Sequence, residues 1–102
     1  MKTQTEYIEI VQFQLNEGVS DLKILNAEKG MEKHLSKNYQ GFIGRQLLRG
    51  KDGFWVVILR MKSEQDMHEL LNRMKNDNSS EIVNYRKCVN LKEARLEFYY
   101  TT

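Results

Sequence analysis

The stretch GFIGRQLLRGKDGFWVVILRMKSEQDM, residues 41–67, contains the pattern that decides the fold of this chain. Its β-branched and aromatic residues predict two adjacent strands, Phe42–Arg49 and residues 54–61. The GKDG sequence between them holds an Asp-Gly pair and a second glycine, which readily take positive φ, and it therefore predicts a tight hairpin turn. Ser63 is the predicted N-cap of a helix, with Asp66 three residues later as in a capping box.

The segments on either side of this stretch supply the remaining elements. Strands are predicted over residues 6–15 and 93–100, which are rich in β-branched or aromatic residues. Apolar residues at spacings of three and four predict a helix from the Ser20 N-cap to about residue 38. Ser80 is the predicted cap of a further short helix that ends near residue 88. The apolar stripes of the two long helices are Ile24, Ala27, Met31 and Leu35, and Met67, Leu70, Leu71 and Met74.

This order of elements is the ferredoxin-like βαββαβ pattern. The predicted fold class is therefore α+β, with a four-stranded antiparallel sheet and both long helices on one of its faces. A chain of 102 residues corresponds to one domain, which is predicted to span residues 1–102.

Composition and charge narrow the classes of partner. The 16 basic and 14 acidic residues leave a net charge of +2, which argues against a nucleic-acid partner because such proteins carry strong basic patches. No apolar run approaches the roughly 18 residues that a membrane-spanning helix needs, so no membrane partner is expected. One cysteine, and no Cys/His cluster with ligand spacing, predicts a cytoplasmic protein without a metal site.

Strand alternation divides the side chains of the hairpin between two faces. The face that carries Trp55, Val57, Leu59 and Met61 is almost wholly apolar and is predicted to lie under the helices. The other face mixes apolar side chains with arginines, which would cost several kcal/mol each if they were buried unpaired beneath the helices. Its predicted members are Ile43, Arg45, Leu47, Arg49, Phe54, Val56, Ile58 and Arg60.

An exposed apolar patch of this size usually marks an interface, and a second copy of the same sheet is the simplest cover. The sequence therefore predicts a homodimer. The predicted interface residues are Ile43, Arg45, Leu47, Phe54, Val56, Ile58 and Arg60. The alternative is a monomer in which the aliphatic stems of the arginines lie over the apolar residues.

The face under the helices provides the candidate ligand-binding residues. Trp55 is suited to stacking on a flat aromatic ligand, and Gln46 to orienting it, although core packing and internal hydrogen bonding are the alternatives. His34 and His68 lie at the margins of the two helical stripes, where each is a candidate acid–base group or a solvated side chain. The full predicted set is Phe13, His34, Phe42, Gln46, Trp55, Met61 and His68, and no catalytic residue is assigned.

The same segment resembles the central part of the dimeric α+β barrel superfamily, and within it the antibiotic biosynthesis monooxygenase-like proteins. The similar features are Gly41-Phe42 at the start of the second strand, the long hairpin, and the RMKSEQDM step into the helix. The resemblance implies a subunit whose sheet pairs with that of a second copy, and a pocket between sheet and helices. It also implies oxygenation of aromatic polyketides or quinols without metal or flavin, hence no cofactor.

Three positions differ from the haem-degrading branch of this superfamily. Met61 stands where that branch has tryptophan, Val11 where it has asparagine, and residues 84–87 contain no histidine. The expected function is therefore binding or oxygenation of a small, flat, hydrophobic molecule. A non-enzymatic dimer that binds a metabolite or a partner protein is the alternative. An RNA-binding sheet ranks third, because Trp55 is predicted to face the helices and not the open side.

Overall fold

The computed structural model describes residues 5–102 and divides them into four strands and three helices. The strands are β1 (Tyr7–Leu15), β2 (Phe42–Arg49), β3 (Trp55–Met61) and β4 (Val89–Tyr100). The helices are α1 (Asp21–Asn38), α2 (Glu64–Met74) and α3 (Ser80–Cys88). Within these residues, no helix has both the length and the apolar character needed to cross a membrane.

Antiparallel pairing joins the strands in the order β2-β3-β1-β4, so β2 and β4 are the two edges of the sheet. One face of the sheet, which we call the helix face, packs on the helices, and the other is the open face. The core between sheet and helices contains side chains from both layers, among them Leu59 and Met61 from the sheet and Ile24, Leu35 and Met67 from the helices. The predicted ferredoxin-like α+β fold is confirmed.

Side-chain caps fix the starts of the two long helices. The Ser20 hydroxyl accepts a hydrogen bond from the Lys23 backbone N–H at 3.1 Å, and that of Ser63 accepts one from the Asp66 N–H at 3.0 Å. Each cap satisfies one of the N–H groups that lack a partner within the helix. Both predicted N-caps are therefore confirmed.

Two predicted boundaries differ from the structure. The N-cap of α3 is Ser79 and not Ser80, because Asp77 binds the Ser79 backbone and hydroxyl and fixes the turn one residue earlier. β4 begins at Val89 and not at residue 93, because Val89 pairs with Leu15 beyond an irregularity in the β1–β4 ladder. This pairing is a long-range contact that no local pattern reveals.

A β-bulge at the start of β2 changes the faces of that strand. Phe42 pairs with Met61, but the next partners are Gly44 and Arg60, so Ile43 is an extra residue in the β2–β3 ladder. An extra residue of this kind shifts the alternation of every following side chain to the opposite face. Gly44, inside a predicted strand, is a residue type that often accompanies such a bulge.

The bulge overturns the predicted faces of β2 beyond Ile43. Arg45, Leu47 and Arg49 pair with buried residues of β3 and lie on the helix face. Gln46 and Leu48 lie on the open face, opposite Ile58 and Val56 of β3. The placement of Arg45 and Leu47 on the dimer-facing side was therefore wrong, as was the placement of Gln46 under the helices. In β3, which has no bulge, the predicted faces are confirmed.

Candidate functional site

A row of four side chains crosses the helix face of the sheet and contains two charged residues. Arg45 of β2 pairs with Leu59 of β3, Leu59 pairs with Glu9 of β1, and Glu9 pairs with Phe98 of β4. Adjacent strands lie about 4.8 Å apart, so the Cα atoms of Arg45 and Glu9 are separated by roughly 10 Å. Charged residues at inward positions of a core sheet are unusual and indicate a functional or structural role.

Arg45 forms a buried ion pair with Glu28 of α1. Its Nε lies 2.8 Å from Glu28 Oε2 and its Nη2 lies 3.1 Å from Oε1, a bidentate arrangement. The two side chains are only 5% and 11% exposed. The Arg45 guanidinium also lies 4.9 Å from the centre of the Tyr85 ring, within the range of a cation–π contact. The arginine that alternation placed in an interface thus has a complete set of partners inside its own subunit.

Tyr85 of α3 completes this cluster: its buried hydroxyl lies beside the Glu28 carboxylate and the Arg45 guanidinium but forms no well-aligned hydrogen bond within residues 5–102. The ring packs edge-on against Phe13, with the two centres 6.4 Å apart. Burial raises the pKa of Tyr85 well above its ordinary value, so the hydroxyl remains a donor at neutral pH. A buried hydroxyl without a partner costs about 1–3 kcal/mol, and native proteins rarely leave one unless water or a ligand satisfies it.

Glu9 is the second charged residue of the row and is 5% exposed. Among residues 5–102 no side chain bonds to its carboxylate, whose oxygens are not fully buried and so keep contact with solvent. Burial raises the pKa of Glu9, and the positive charge of Arg45 opposes this shift. We refer to Glu9, Glu28, Arg45 and Tyr85 as the buried polar cluster.

The predicted aromatic pocket is closed in this conformation. Phe13, Trp55 and Met61 lie together in the core, as predicted, but each is buried by protein atoms. Phe42 is half-buried and borders a surface groove of about 590 Å³ between α1 and the edge of β2. Gln46 is exposed on the open face, so it cannot reach a ligand beneath the helices.

The two histidines lie in different environments. His68 is largely exposed on α2, where its Nε2 lies 3.6 Å from Glu64 Oε2 and its ring meets Tyr7 edge-on. His34 is mostly buried at the end of α1, where its Nε2 lies 2.8 Å from Asp77 Oδ2. They are on separate helices and do not converge on one site. Within residues 5–102 no three metal-ligating side chains come together.

The His34 cluster is a structural link and not a catalytic triad. Asp77 accepts hydrogen bonds from the Tyr39 hydroxyl at 2.7 Å and from the Ser79 hydroxyl at 2.6 Å. The Ser79 hydroxyl lies 3.1 Å from the same His34 nitrogen that contacts Asp77. A triad needs serine and aspartate on opposite ring nitrogens, so this arrangement cannot relay a proton between them. The contacts instead join the end of α1 to the loop before α3.

Asp77→Asn is expected to lower the free energy of unfolding by about 2 kcal/mol at pH 7, because hydrogen bonds to a charged acceptor are lost. Hydrogen bonds from Ser79, and then from His34 and Tyr39, hold the pKa of Asp77 well below its ordinary value of 3.8. The stabilisation is therefore present above pH 3.8 and is lost as the pH falls below it. Urea unfolding of both proteins from pH 7 to pH 3 measures the difference.

The matched control for this prediction is Asp52→Asn, which changes an exposed aspartate in the β2–β3 turn. It should alter stability by less than about 0.5 kcal/mol, as surface changes usually do. A stability gap for Asp77→Asn that stays constant, or widens, as the pH is lowered would contradict the role assigned to its ionised form.

The open face has an apolar centre and a polar rim. The centre consists of Ile8 and Ile10 of β1 with Val56 and Ile58 of β3, and all four are half-buried. Arg60 extends this face and bonds to Glu6, with Nε 2.8 Å from Oε1. The other rim residues are Gln12, Gln46, Arg95 and Glu97. This distribution is typical of a protein–protein interface, which has a dry apolar core and a wet rim.

The predicted interface residues divide into two groups. Val56, Ile58 and Arg60 lie on the open face, and Phe54 borders the same face next to Gln12 and Arg95. Ile43 is exposed at the bulge, beside the groove that α1 forms with the edge of β2. The remaining two, Arg45 and Leu47, face the helices because of the bulge.

Sequence reasoning missed three members of the buried polar cluster, although two of them left a signal. Glu9 occupies an inward position of the alternating first strand. Glu28 stands four residues after Ile24 and three before Met31, which is within the buried stripe of α1. Tyr85 lies in the short helix α3, and nothing in the sequence marks its hydroxyl as buried beside an ion pair.

Known proteins resemble this chain in structure. No family model and no curated protein matches the sequence. The cofactor-independent oxygenase SnoaB from Streptomyces nogalater is 14% identical, with 95% of this chain and 91% of its own covered and a TM-score of 0.61. A dimeric ferredoxin-like protein of unknown function from Thermobifida fusca is 8% identical, with 93% and 90% covered and a TM-score of 0.65.

A third match is a nipsnap family protein with unknown function from Agrobacterium tumefaciens. It is 17% identical, with 98% of this chain and 91% of its own covered and a TM-score of 0.68. Identities this low show a shared fold and nothing finer. The chain therefore shares the ferredoxin-like fold of these structures, as the sequence resemblance implied.

Proposed function

We propose that this chain forms a homodimer in which each subunit binds a small, flat, hydrophobic molecule between its sheet and its helices. The reaction that we propose there is oxygenation without a cofactor. Support comes from the sequence resemblance to antibiotic biosynthesis monooxygenase-like proteins and from the fold shared with an oxygenase of this kind. The residues that we assign to the site are the buried polar cluster and the adjoining part of the helix face.

The buried hydroxyl of Tyr85, which forms no well-aligned hydrogen bond within residues 5–102, is the observation that carries the proposal. It lies beside an ion pair that is itself buried, and both features are expensive in a small core. Stability alone would favour apolar residues of similar volume at these positions. A ligand oxygen that accepts the Tyr85 hydrogen bond explains why the polar groups are retained.

A ligand could enter the space between sheet and helices along the row that contains Glu9. Its Arg45 end is covered by α1 and α3, whereas its Phe98 end lies at the β4 edge, where Phe98 is partly exposed. A flat molecule with oxygens at both ends would place one near Tyr85 and the other near Glu9. Because the core is closely packed, such a ligand can enter this layer only if the side chains or helices above the row move.

The open face supports the dimer part of the proposal. The apolar centre around Ile10 and Ile58 has no cover in the single subunit, and a two-fold copy of the same face would bury it. Arg95 and Glu97 lie on the rim with opposite charges, so they can pair across a two-fold axis. The name of the Thermobifida fusca protein describes a dimer, which accords with this arrangement.

A non-enzymatic binder is the second candidate function. The observation that favours it is the tight packing of Phe13, Trp55 and Met61, which leaves no preformed aromatic cavity beside the buried polar cluster. Enzyme active sites are usually formed before the substrate binds. Oxygen uptake separates the two candidates, because a binder without turnover consumes none.

The proposal is tested with 1,4-dihydroxynaphthalene, a flat quinol with two hydroxyl groups. Shifts of the backbone amides in ¹H–¹⁵N spectra should concentrate on α1, α3 and the inward positions of β1. Tyr85→Phe should weaken binding about fivefold, the loss of one neutral hydrogen bond. An oxygen electrode, in buffer treated with chelator, should show uptake above the rate of the quinol alone.

Tyr99→Phe is the matched control, because the Tyr99 hydroxyl bonds to Glu97 on β4 away from the proposed site. Tyr85→Phe should fold normally, since removing a hydroxyl without a partner is close to neutral for stability. The ligand site would be excluded if the quinol shifted no amide of the helix–sheet layer, or if both variants bound it like the wild type. Binding without oxygen uptake would select the non-enzymatic candidate.

A further inference from the structure

The groove between α1 and the edge of β2 has a row of lysines on its helical wall. Lys29, Lys33 and Lys37 follow one another at intervals of four residues along α1, and all three are exposed. Successive members are about 6 Å apart along the helix axis, so the row is about 12 Å long. Among residues 5–102 none of them forms an ion pair. Glu32 also lines the groove, but the lysines outnumber it and leave the groove positively charged.

The opposite wall of the groove is the free edge of the sheet. β2 is an edge strand, and Phe42, Ile43 and Gly44 line the groove from its side. Ile43, the extra residue of the bulge, is 41% exposed. The groove therefore sets apolar side chains and strand backbone opposite a row of cations.

The backbone of β2 directs hydrogen-bonding groups toward this edge. The Gly50 N–H donates a hydrogen bond to the Phe54 carbonyl at 2.7 Å across the β2–β3 hairpin. In an antiparallel ladder, bonded and non-bonded pairs alternate. Counted from this bonded pair, Leu47 and Arg45 fall at non-bonded positions, so their N–H and C=O groups point away from β3. Among residues 5–102 no strand pairs with β2 on that side.

We propose that this edge binds an extended, acidic segment of a partner protein, which adds to the sheet beside β2. Alternate residues of a strand lie about 6.6–6.8 Å apart on one face, close to the interval between the lysines, so acidic residues at alternate positions would each meet one lysine. Lysines beside an edge repel a basic strand and attract an acidic one, which makes the site selective. The proposal is independent of the ligand proposed beneath the helices.

The probe for this site is the peptide TEVEVET, with blocked ends and a fluorescent label, in which glutamates alternate with valines. Fluorescence anisotropy should show saturable binding that weakens as the salt concentration is raised from about 50 to about 500 mM. The neutral peptide TQVQVQT should bind about tenfold or more weakly, because three exposed ion pairs are lost. Backbone amide shifts should centre on residues 29–37 and 42–48.

Methylation of the peptide backbone separates strand pairing from simple charge attraction. N-methylation of the two valines removes N–H donors from one edge of the extended peptide, and N-methylation of two glutamates removes them from the other edge. Since only one edge can pair with β2, one methylated peptide should lose most of its affinity and the other should keep it. Equal affinities of the two would overturn the proposed pairing.

Lys33→Glu reverses the central charge of the row and should weaken binding of TEVEVET about fivefold or more. Lys92→Glu is the matched control, because it makes the same change at an exposed lysine of β4, the opposite edge of the sheet. It should bind the peptide like the wild type. Equal weakening in both variants, or no saturable binding to the wild type, would overturn the proposal.

Two further measurements distinguish this partner from other occupants of the groove. Saturating peptide should leave the sedimentation of the protein unchanged, whereas dissociation of dimers would assign the edge of β2 to a second copy of the chain. Vesicles of phosphatidylcholine and phosphatidylserine should not sediment the protein. Sedimentation with the vesicles that Lys33→Glu abolishes, without binding of TEVEVET, would assign the lysines to a membrane surface and overturn the proposal.

Discussion

Arg45→Met is expected to lower the free energy of unfolding by about 3–5 kcal/mol, because it leaves the Glu28 carboxylate buried without its partner. The ion pair lies between sheet and helices, and its two side chains are almost inaccessible to water. The variant also loses the cation–π contact with Tyr85. Guanidinium chloride unfolding followed by circular dichroism measures the change, which is a large part of the stability of a small domain.

Two further variants give this experiment its controls. The double change Arg45→Met with Glu28→Leu should recover most of the loss, since replacing a whole buried pair by apolar residues is often neutral. Arg60→Met breaks the half-exposed pair with Glu6 and should cost less than about 1 kcal/mol. Similar losses in Arg45→Met and Arg60→Met would contradict the β2–β3 register that places Arg45 under the helices.

Ile58→Asp is expected to convert the proposed dimer to a monomer. Ile58 lies at the centre of the open face, next to Ile10, where a carboxylate would be buried without a partner in the proposed interface. Burying an unpaired charge costs several kcal/mol, which corresponds to a weakening of at least about 100-fold. Sedimentation at micromolar concentration should show dimers for the wild type and monomers for the variant.

Leu25→Asp is the matched control for the dimer. Leu25 is as exposed as several open-face residues, but it lies on α1, on the other side of the molecule. It should leave the dimer intact. A wild type that sediments as a monomer at micromolar concentration would exclude the proposed dimer. Dimers in both variants would place the interface elsewhere.

Arg45 connects the two experiments, because it was predicted from the sequence to lie in the interface. Because Arg45 lies under the helices, Arg45→Met should lower the free energy of unfolding. Under conditions in which the variant is folded, the affinity between the proposed subunits should be unchanged. Arg60, on the open face, should show the reverse: a small change in stability and a measurable change in dimerisation. The contrast between the two variants therefore tests whether the bulge at Ile43 places Arg45 on the helix face.

Local sequence patterns were sufficient to predict the strands and helices, and the inward and outward faces of the central strand β3. The serine caps at Ser20 and Ser63 act within three residues, so the sequence alone reveals them. The faces of β3 follow from simple alternation because nothing interrupts its pairing. Alternation failed in β2, where one extra residue at Ile43 reversed all that follows. Gly44 was the available signal, but a glycine in a strand has several explanations.

The candidate site was predicted less well than the fold. Phe13, Trp55 and Met61 do lie together under the helices, as expected, but packing closes the space around them. Gln46 was placed on the wrong face for the same reason as Arg45. Glu9 was overlooked because a single glutamate in an alternating strand does not show whether its row is covered by helices or open at an edge.

The amino-acid sequence by itself determined the order of strands and helices, the capped helix starts and the inward face of β3, because each depends on neighbours a few residues apart. Only the tertiary structure decided which face of the sheet each β2 side chain occupies, that Arg45 pairs with Glu28, and that Tyr85 and Glu9 are buried. These features depend on strand register and on contacts between distant segments. Whether a charged side chain is paired or buried depends on the residues that pack against it, and these come from distant parts of the sequence.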